Sequence, residues 1–522
     1  MTPSSRPTVD GETIPAELAG LAASVTTTED AGTFAVGSPF DGRTIGELPA
    51  CRPGDVEAAI DRAAESAWRD TDPAERAEVL LRYHDLVLER QAEILDVIQA
   101  ETGKARRDAH EEVIDVATTA RYYAYRAESM LDTEDRTGML PGVTETEVHH
   151  HPVGTVGIVS PWNYPLNLSV GDAIPALLAG NAVVVKPAPE TSYTALKAAE
   201  LLREAGVSDS ALQVVTGDAA VGEAIVGATD YVCFTGSTAA GRAVATKAGE
   251  TLTDCSLELG GKNPGIVRAD ADIGRAVDGL VRGCFNNAGQ LCLSIERLYV
   301  EEEIFDRFVD RFVEATESID LGAGYGYDVE MGSLISERHL EKVRTHVEEA
   351  ESEGATVLAG GRARPDIAPY FFEPTILTGV EESMTLATEE TFGPVVSVYP
   401  YGTDAEAIEL ANDSAYGLNA SIWTADTDRG REMAAEIEAG TVNVNESYVA
   451  AWGSLDAPMG GMKDSGIGRR HGIEGLRRFT ESQTVAVQKY GSLSPPPGMP
   501  YWLFVKLLNG TVKLQRRLPW LR

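Results

Sequence analysis

Cys292 lies in the run Asn286-Asn-Ala-Gly-Gln-Leu-Cys292-Leu-Ser-Ile-Glu-Arg297. A thiol just after a Gly-Gln turn and before a strand can be held at a loop or helix end, where its pKa falls and it becomes a nucleophile. The same place also suits a buried small hydrophobe, as do the apolar or helical settings of Cys51, Cys233, Cys255 and Cys284. Glu258 stands between Leu257 and Leu259, directly before Gly260-Gly261. Apolar neighbours raise a carboxyl pKa toward neutrality, which a general base at pH 7 needs; a surface strand end is the plainer reading. Asn163, in Ser160-Pro-Trp-Asn-Tyr-Pro, follows the apolar run 156–159. Its amide can donate to a developing oxyanion or simply make an Asx turn before Pro165.

Two further segments suit a nucleotide. Lys186 directly follows the apolar run 182–185 and can donate to a ribose hydroxyl or a phosphate. Phe234-Thr-Gly236-Ser237-Thr-Ala-Ala-Gly241 leads a strand through small residues into a helix. Exposed N–H groups and the positive helix end would receive a pyrophosphate there. The stretch lacks GxGxxG spacing, so alone it says little about a dinucleotide.

Positioning these groups falls to short strands alternating with helices. Apolar runs at 154–159, 182–185, 211–215 and 230–234 are separated by helical patterns such as 193–205. A second series stands at 263–267, 297–300, 355–359, 395–398, 420–423 and 441–444. This alternation predicts two α/β units with parallel sheets, and ligands bind at the carboxyl ends of such strands. Upstream, Val56, Ala59, Ile60, Ala63, Ala67 and Trp68 recur at helical spacing, with Asp55 as N-cap and a break at Asp72-Pro73. Residues 74–101 and 106–131 read as further helices, residues 1–45 as a surface wrap, and 144–151 as a polar strand after the turn Leu140-Pro141-Gly142. Successive residues of His149-His150-His151 would point to opposite faces of that strand, so no metal is expected.

The chain has 522 residues, is 43% apolar and 24% charged, and carries a formal net charge of −37. That is globular composition with room for about two or three domains. Nucleic acid would be repelled unless a local basic patch intervened. Lys is scarce beside Arg, and an acidic, Lys-poor surface fits a salt-rich cytoplasm where screening relieves self-repulsion. Five widely spaced cysteines without a CxxC pair suit a reducing compartment. Residues 1–12 are polar with no signal-peptide core, and no apolar run nears the roughly 20 residues of a membrane helix. The tail 496–522 differs, combining Trp502, Leu503, Phe504, Leu507 and Leu508 with Lys506, Lys513, Arg516, Arg517 and Arg522, and no acid. It would make peripheral contact with an anionic membrane or, more plainly, dock on an acidic face of its own oligomer.

Along the chain stand, in order, PWNYP, KPA, FTGS, LELGGKNP, GQLC, EETFGPV and PMGGMKDSGIGR. With these motifs residues 30–490 resemble the NAD(P)-dependent aldehyde dehydrogenase superfamily. The resemblance implies an aldehyde dehydrogenase-like α/β fold. A Rossmann-type cofactor domain would comprise 1–129 and 152–258, with a return at 446–478. An α/β catalytic domain would occupy 259–445. A small oligomerisation element would take 130–151 and 479–495, leaving the basic apolar tail at 496–522. A dimer or tetramer follows.

The resemblance also implies roles. Cys292 would attack the aldehyde carbon. Asn163 and the Cys292 backbone N–H would form the oxyanion hole, and Glu258 would be the base for thioester hydrolysis. NAD or NADP would be held by Lys186 and Glu390 at the riboses and by Ser237 at the pyrophosphate. Phe392 would pack near the nicotinamide and Trp162 against the cofactor loop, with Gly236, Gly241 and Leu259 also in the cofactor site. Pro189 stands where many NAD-preferring members carry Glu, so a 2′-phosphate is not repelled, although neighbouring Glu190 leaves NAD against NADP open. Arg470 stands where many members carry an acid.

The stretches GQLCLSIERLYV, WGSLDAPMGGMKDSGIGRRHGIEGL and TESQTVAVQ resemble most a branch assigned to succinate-semialdehyde oxidation. Two Arg that clamp the distal carboxylate elsewhere in that function are matched here by Gly171 and Asn286. Asp115, Tyr164, Asn167, Leu168, Leu291, Leu293 and Trp452 would line the substrate tunnel. Succinate semialdehyde is the expected substrate, with a general aliphatic or other aldehyde as the alternative. A coenzyme A-acylating dehydrogenase would not need Glu258. A cofactor-free thiol hydrolase would pair Cys292 with a His, and none of the eight lies near a nucleophile motif in sequence.

Overall fold

The computed structural model describes residues 13–28, 31–139, 143–490 and 494–517. The expectations for residues 1–12, for the turn at Leu140-Pro141-Gly142 and for Arg522 lie outside the described residues.

One sheet has six strands in the order Gly466–Ile467, Asp254–Glu258, Tyr231–Thr235, Thr155–Val159, Ala182–Lys186 and Leu212–Val214. All pair in parallel except Gly466–Ile467, which runs antiparallel beside Glu258. The Ala182–Lys186 strand is buried along its whole length, as a parallel strand covered on both faces must be. Its valines share a core with Leu80, Val113 and Leu196, from the helices Pro73–Glu89, Arg106–Leu131 and Ser192–Ala205.

A second sheet has seven strands in the order Thr356–Ala359, Thr375–Thr378, Val395–Tyr401, Ile295–Glu301, Asn263–Val267, Asn419–Trp423 and Thr441–Val444. Its pairing is parallel except for the edge strand Thr356–Ala359. The chain passes from one sheet to the other between Glu258 and Asn263. A third, antiparallel sheet joins Thr480–Gln488, Thr144–Pro152 and Glu134–Arg136.

Several local expectations change. The first of the expected helices starts at Pro53, and Asp55 is not its N-cap. Asp55 sits one turn in, where its carboxylate accepts from the Arg52 N–H at 2.7 Å and the Thr28 N–H at 2.6 Å. Proline at the helix start moved the boundary, since it needs no N–H partner there. Trp68 belongs to a separate 3-10 turn, Ala67–Asp70. The stretch 74–101 is two helices, Pro73–Glu89 and Gln91–Thr102, broken at Arg90. The surface wrap contains a helix, Thr13–Ala22, and a hairpin of Gly32–Gly37 with Thr44–Ala50. Strands Thr375–Thr378 and Asp254–Glu258 were not expected: the first is only four residues, and the second starts with exposed Asp254.

Candidate active site

Residues from both large sheets meet around a cavity of about 190 Å³. Its lining includes Trp162, Asn163, Gly236, Ser237, Glu258, Leu259, Cys292, His339, Glu390 and Phe392. The sequence had scattered these groups over more than two hundred positions.

A tight turn delivers Cys292. Asn287, Ala288 and Gly289 are all left-handed, with φ of 52°, 54° and 68°. For the first two this conformation is unusual and must be held by its surroundings. Asn287 Nδ2 does so, donating to the Gln290 and Asn163 carbonyls at 3.1 Å each. Beyond the turn, Asn263 Nδ2 donates to the Cys292 and Ser294 carbonyls at 2.7 Å each. Asn163 Nδ2 donates to the Gln290 carbonyl at 3.0 Å. A primary amide has two N–H donors, so one of Asn163's is left for a substrate oxygen.

The thiol is not acidified. Burial, and then the Glu258 and Glu390 carboxylates, push Cys292 up to about 12. The expectation of a lowered pKa is therefore corrected. Enclosure and two neighbouring acids outweigh the Arg470 guanidinium, and a resting thiol results.

Glu258 ends its strand buried, and its Oε1 has no hydrogen-bond partner among the described residues. Burial pushes its pKa up to about 7, against the pull of the Arg470 guanidinium. Behind it stands an ion triad. Asp172 accepts from Arg470 Nε at 2.8 Å and from Arg478 Nη2 at 2.5 Å. Burial opposes the Asp172 charge, but the two guanidiniums win and hold its carboxyl well below the usual range.

A second buried pair shapes the opposite wall. Lys262 Nζ meets Glu296 Oε2 at 2.6 Å. Glu296 in turn accepts from the N–H groups of Thr391 at 2.9 Å and Phe392 at 3.0 Å. This fixes Phe392 in a left-handed backbone, φ 57°. Its ring stands edge-on to Trp162 at 5.5 Å, and His339 packs against both. In space, then, a His does line the cavity of the nucleophile, unlike in sequence. Its Nε2 is 2.7 Å from the Phe392 carbonyl, and burial lowers its pKa to about 4, so it stays neutral and donates there. Glu390 Oε1 accepts from the Gly261 N–H at 2.9 Å, and burial with the nearby Glu296 pushes Glu390 up to about 7. A Cβ at Gly260 would meet Glu390 Oε2, so glycine lets that carboxylate approach.

An adjoining cavity of about 790 Å³ is lined by Lys186, Pro189, Asp218, Gly222, Phe234, Ala240, Arg242 and Lys247, among others. The Lys186 side chain is largely buried, with Glu190 and Asp218 as the charges acting on its amine, and it makes no hydrogen bond or ion pair among the described residues. Ser237 caps the helix Thr238–Thr251, accepting from the Ala240 N–H at 3.4 Å. At Gly241 a Cβ would strike the Leu259 side chain. Pro189 opens the turn Pro189–Thr191, and Glu190 is exposed there, its carboxylate acting on the Lys186 amine that lines this cavity. A lysine with its donors free of hydrogen bonds, a helix N-terminus and small residues fit a dinucleotide.

Tyr164, Leu168, Leu291, Leu293 and Trp452, expected to line the substrate tunnel, pack with Cys292 in one apolar cluster. Asp115 and Asn167, expected with them, are polar neighbours. They bond one another in a separate small cleft beside Gly171, Asp172 and Arg470. Sequence reasoning missed Leu418, Tyr448, Val449 and Met459, which complete the apolar wall. It also missed Lys104, whose Nζ binds Glu112 Oε1 and the Asn163 carbonyl at 2.7 Å each. Lys104 stands alone after Gly103, and nothing in its spacing marks it. Asn286 donates to the Tyr448 hydroxyl at 2.5 Å and to Glu111 at 3.1 Å. Among the described residues no group of His, Cys, Asp and Glu is placed to hold a metal ion.

The aldehyde dehydrogenase family model matches residues 26–485. The chain belongs to the aldehyde dehydrogenase family. It is 51% identical over 483 residues to a Mycolicibacterium smegmatis protein provisionally named succinate-semialdehyde dehydrogenase [NADP(+)], covering 92% of this chain and 93% of that one. A similarly named Mycobacterium ulcerans protein is 48% identical over 490 residues, 93% of this chain and 95% of its own. Among solved structures, an NAD-dependent aldehyde dehydrogenase from Sinorhizobium meliloti superposes with a TM-score of 0.86 at 34% identity, covering 91% of this chain and 95% of that one. The expected family, fold class and enzyme class thus stand.

Proposed function

We propose that this protein oxidises an aldehyde to the carboxylate with NAD or NADP, through a Cys292 thiohemiacetal and thioester. The observation that carries the reading is the common cavity of Cys292, Glu258 and Asn163. Because the thiol rests protonated, the Glu258 carboxylate takes its proton as sulfur attacks the carbonyl carbon. The free Asn163 N–H and the Cys292 N–H hold the resulting alkoxide. When bound, the nicotinamide dinucleotide accepts the hydride released as the thiohemiacetal becomes a thioester. Glu258 gives the thiol's proton up to solvent and, a carboxylate again, takes a proton from water as hydroxide adds to the thioester carbon; it then returns that proton to Cys292 as the thiol leaves. Lys186 and Glu390 would hold the riboses, Ser237 the pyrophosphate, and Phe392 and Trp162 would flank the nicotinamide end. Pro189, Gly236, Gly241 and Leu259 would complete the cradle.

Succinate semialdehyde is the proposed substrate, supported by the names of the two mycobacterial relatives. A second reading, an uncharged aliphatic aldehyde, is favoured by the wall itself. The side chains packed with Cys292 are apolar, Lys104 and Arg282 stand behind Tyr164 and Tyr448 but are paired with Glu112 and Glu111, and Asn286 faces Glu111. Pro189, with Arg242 and Lys247 lining the adenosine-side cavity, supports NADP over NAD. Our reading also includes a homo-oligomer built on Thr144–Pro152 and Thr480–Gln488, the domain limits given above, and a salt-rich cytoplasm. No described helix is long and apolar enough to cross a membrane.

The test is absorbance at 340 nm in molar salt with succinate semialdehyde, a straight-chain aldehyde and an amino-aldehyde, each with both cofactors. Reduction of cofactor by succinate semialdehyde without coenzyme A is expected. A signal only with coenzyme A would replace hydrolysis by acylation, and no signal with any aldehyde would overturn the reading.

A further inference from the structure

The helix Tyr501–Arg517 follows the family-matched region, which ends at 485, and buries none of its residues. Trp502 is 67% exposed, Leu507 55%, and Val512 and Leu514 53% each. No hydrogen bond, ion pair or ring contact among the described residues joins this helix to another element. At 3.6 residues per turn, Leu503, Leu507 and Leu514 lie beside Phe504, Leu508 and Val512 on one broad side. Lys506, Lys513 and Arg517 share the opposite side, with Arg516 at its border.

Two features call for an outside partner. Single exposed apolar residues are ordinary on a surface, but six on one side of a helix, interrupted only by Thr511 and Gln515, are not. The cations are unusual as well. In a chain of net charge −37, these four Lys and Arg form no ion pair among the described residues, and the helix carries no acid to neutralise them. The covering surface must therefore supply negative charge and a wide apolar medium together.

We propose that this helix binds the surface of an anionic lipid bilayer, lying in its plane. Headgroup phosphates would neutralise Lys506, Lys513 and Arg517, while the leucine side enters the acyl boundary. A bilayer supplies both halves without a preformed groove. The segment Ser494-Pro-Pro-Pro-Gly-Met-Pro500, with a turn closed by the Met499 N–H on the Pro496 carbonyl at 3.0 Å, joins the helix to the rest of the chain. The inference does not depend on the proposed reaction.

The test uses the full chain with phosphatidylglycerol or phosphatidylcholine vesicles, sedimented at low and molar salt. Light scattering reads oligomeric state, and intrinsic fluorescence confirms folding. Sedimentation with phosphatidylglycerol and not phosphatidylcholine at low salt is expected. The variant K506E/K513E/R517E should bind roughly tenfold less or weaker still, and L507E/L508E should lose binding at both salt concentrations. Absence of sedimentation overturns the proposal, as does binding that ignores both variants. Removal of residues 494–522 that changes oligomeric state, in a protein indifferent to vesicles, would instead assign the helix to an acidic face of a second copy.

Discussion

Asp172 grips Arg470 through a 2.8 Å hydrogen bond from Arg470 Nε, and Arg470 is the charged group that acts most strongly on Glu258. The triad behind the base therefore sets how readily the base ionises. Burial alone would hold Glu258 protonated, and the guanidinium draws it back to about 7. A general base works as the carboxylate, so thioester hydrolysis should rise as pH passes upward through about 7. Arg470→Gln removes an attraction for the charged form, so the acidic limb should move to higher pH, by roughly one unit if about 1.4 kcal/mol is lost. Single-turnover deacylation against pH reads this, with thermal unfolding as the control for folding. A limb that stays put in a folded variant would separate Arg470 from the base.

Cys292→Ser should leave the cavity filled but replace a polarisable sulfur by a poor nucleophile. A loss of kcat on the order of 10³-fold or more is expected, with cofactor binding by fluorescence titration retained. Asn163→Ala deletes the amide N–H offered to the alkoxide. It should cost about 10² to 10³-fold in kcat with a small change in KM. Equal losses in binding and turnover would show that Asn163 serves the turn at Gln290 rather than the transition state.

Much of this site was legible because its chemistry sits at strand ends. Glu258 closes Asp254–Glu258, Asn163 follows Thr155–Val159, and Lys186 closes Ala182–Lys186. For Asn163 and Lys186 an apolar run marks where the strand ends, so those positions could be read from pattern; Glu258 was marked by its leucine neighbours instead, since its strand begins with exposed Asp254. The Cys292 pKa could not. Its sign is set first by burial and then by the acids that face the sulfur, and Glu390 lies about a hundred residues further along the chain. For the same reason the buried pairs Lys104–Glu112 and Lys262–Glu296 were invisible. A buried Lys looks like any surface Lys until its partner is placed against it.

The Lys262–Glu296 pair should prove structural and catalytic at once. Glu296 holds the N–H groups of Thr391 and Phe392 while Lys262 neutralises it. Lys262→Met leaves a carboxylate buried without its cation, which costs about 3–5 kcal/mol. Loss of thermal stability should accompany a rise in cofactor KM larger than the change in aldehyde KM, on the proposal that Phe392 flanks the nicotinamide end. A destabilised variant with unchanged cofactor KM would confine the pair to a structural role.

Cofactor choice turns on a few side chains around the adenosine-side cavity. Pro189 presents no carboxylate, and Arg242 and Lys247 line the cavity together with Asp218, Glu223 and Glu250. Arg242 pairs with Asp464 at 2.7 Å and Lys247 with Glu250 at 2.7 Å, both exposed, so each can exchange its partner for a phosphate at little cost. Pro189→Glu would place a carboxylate where a 2′-phosphate must sit. NADP KM should rise by at least about tenfold, a repulsion of roughly 1.4 kcal/mol, while NAD KM holds or falls. Arg242→Ala should weaken NADP alone. Because the groups are exposed, the NADP preference should also shrink as salt rises, whereas NAD affinity should not follow. Parallel KM changes for both cofactors in these two variants would remove Arg242 and Pro189 from cofactor selection.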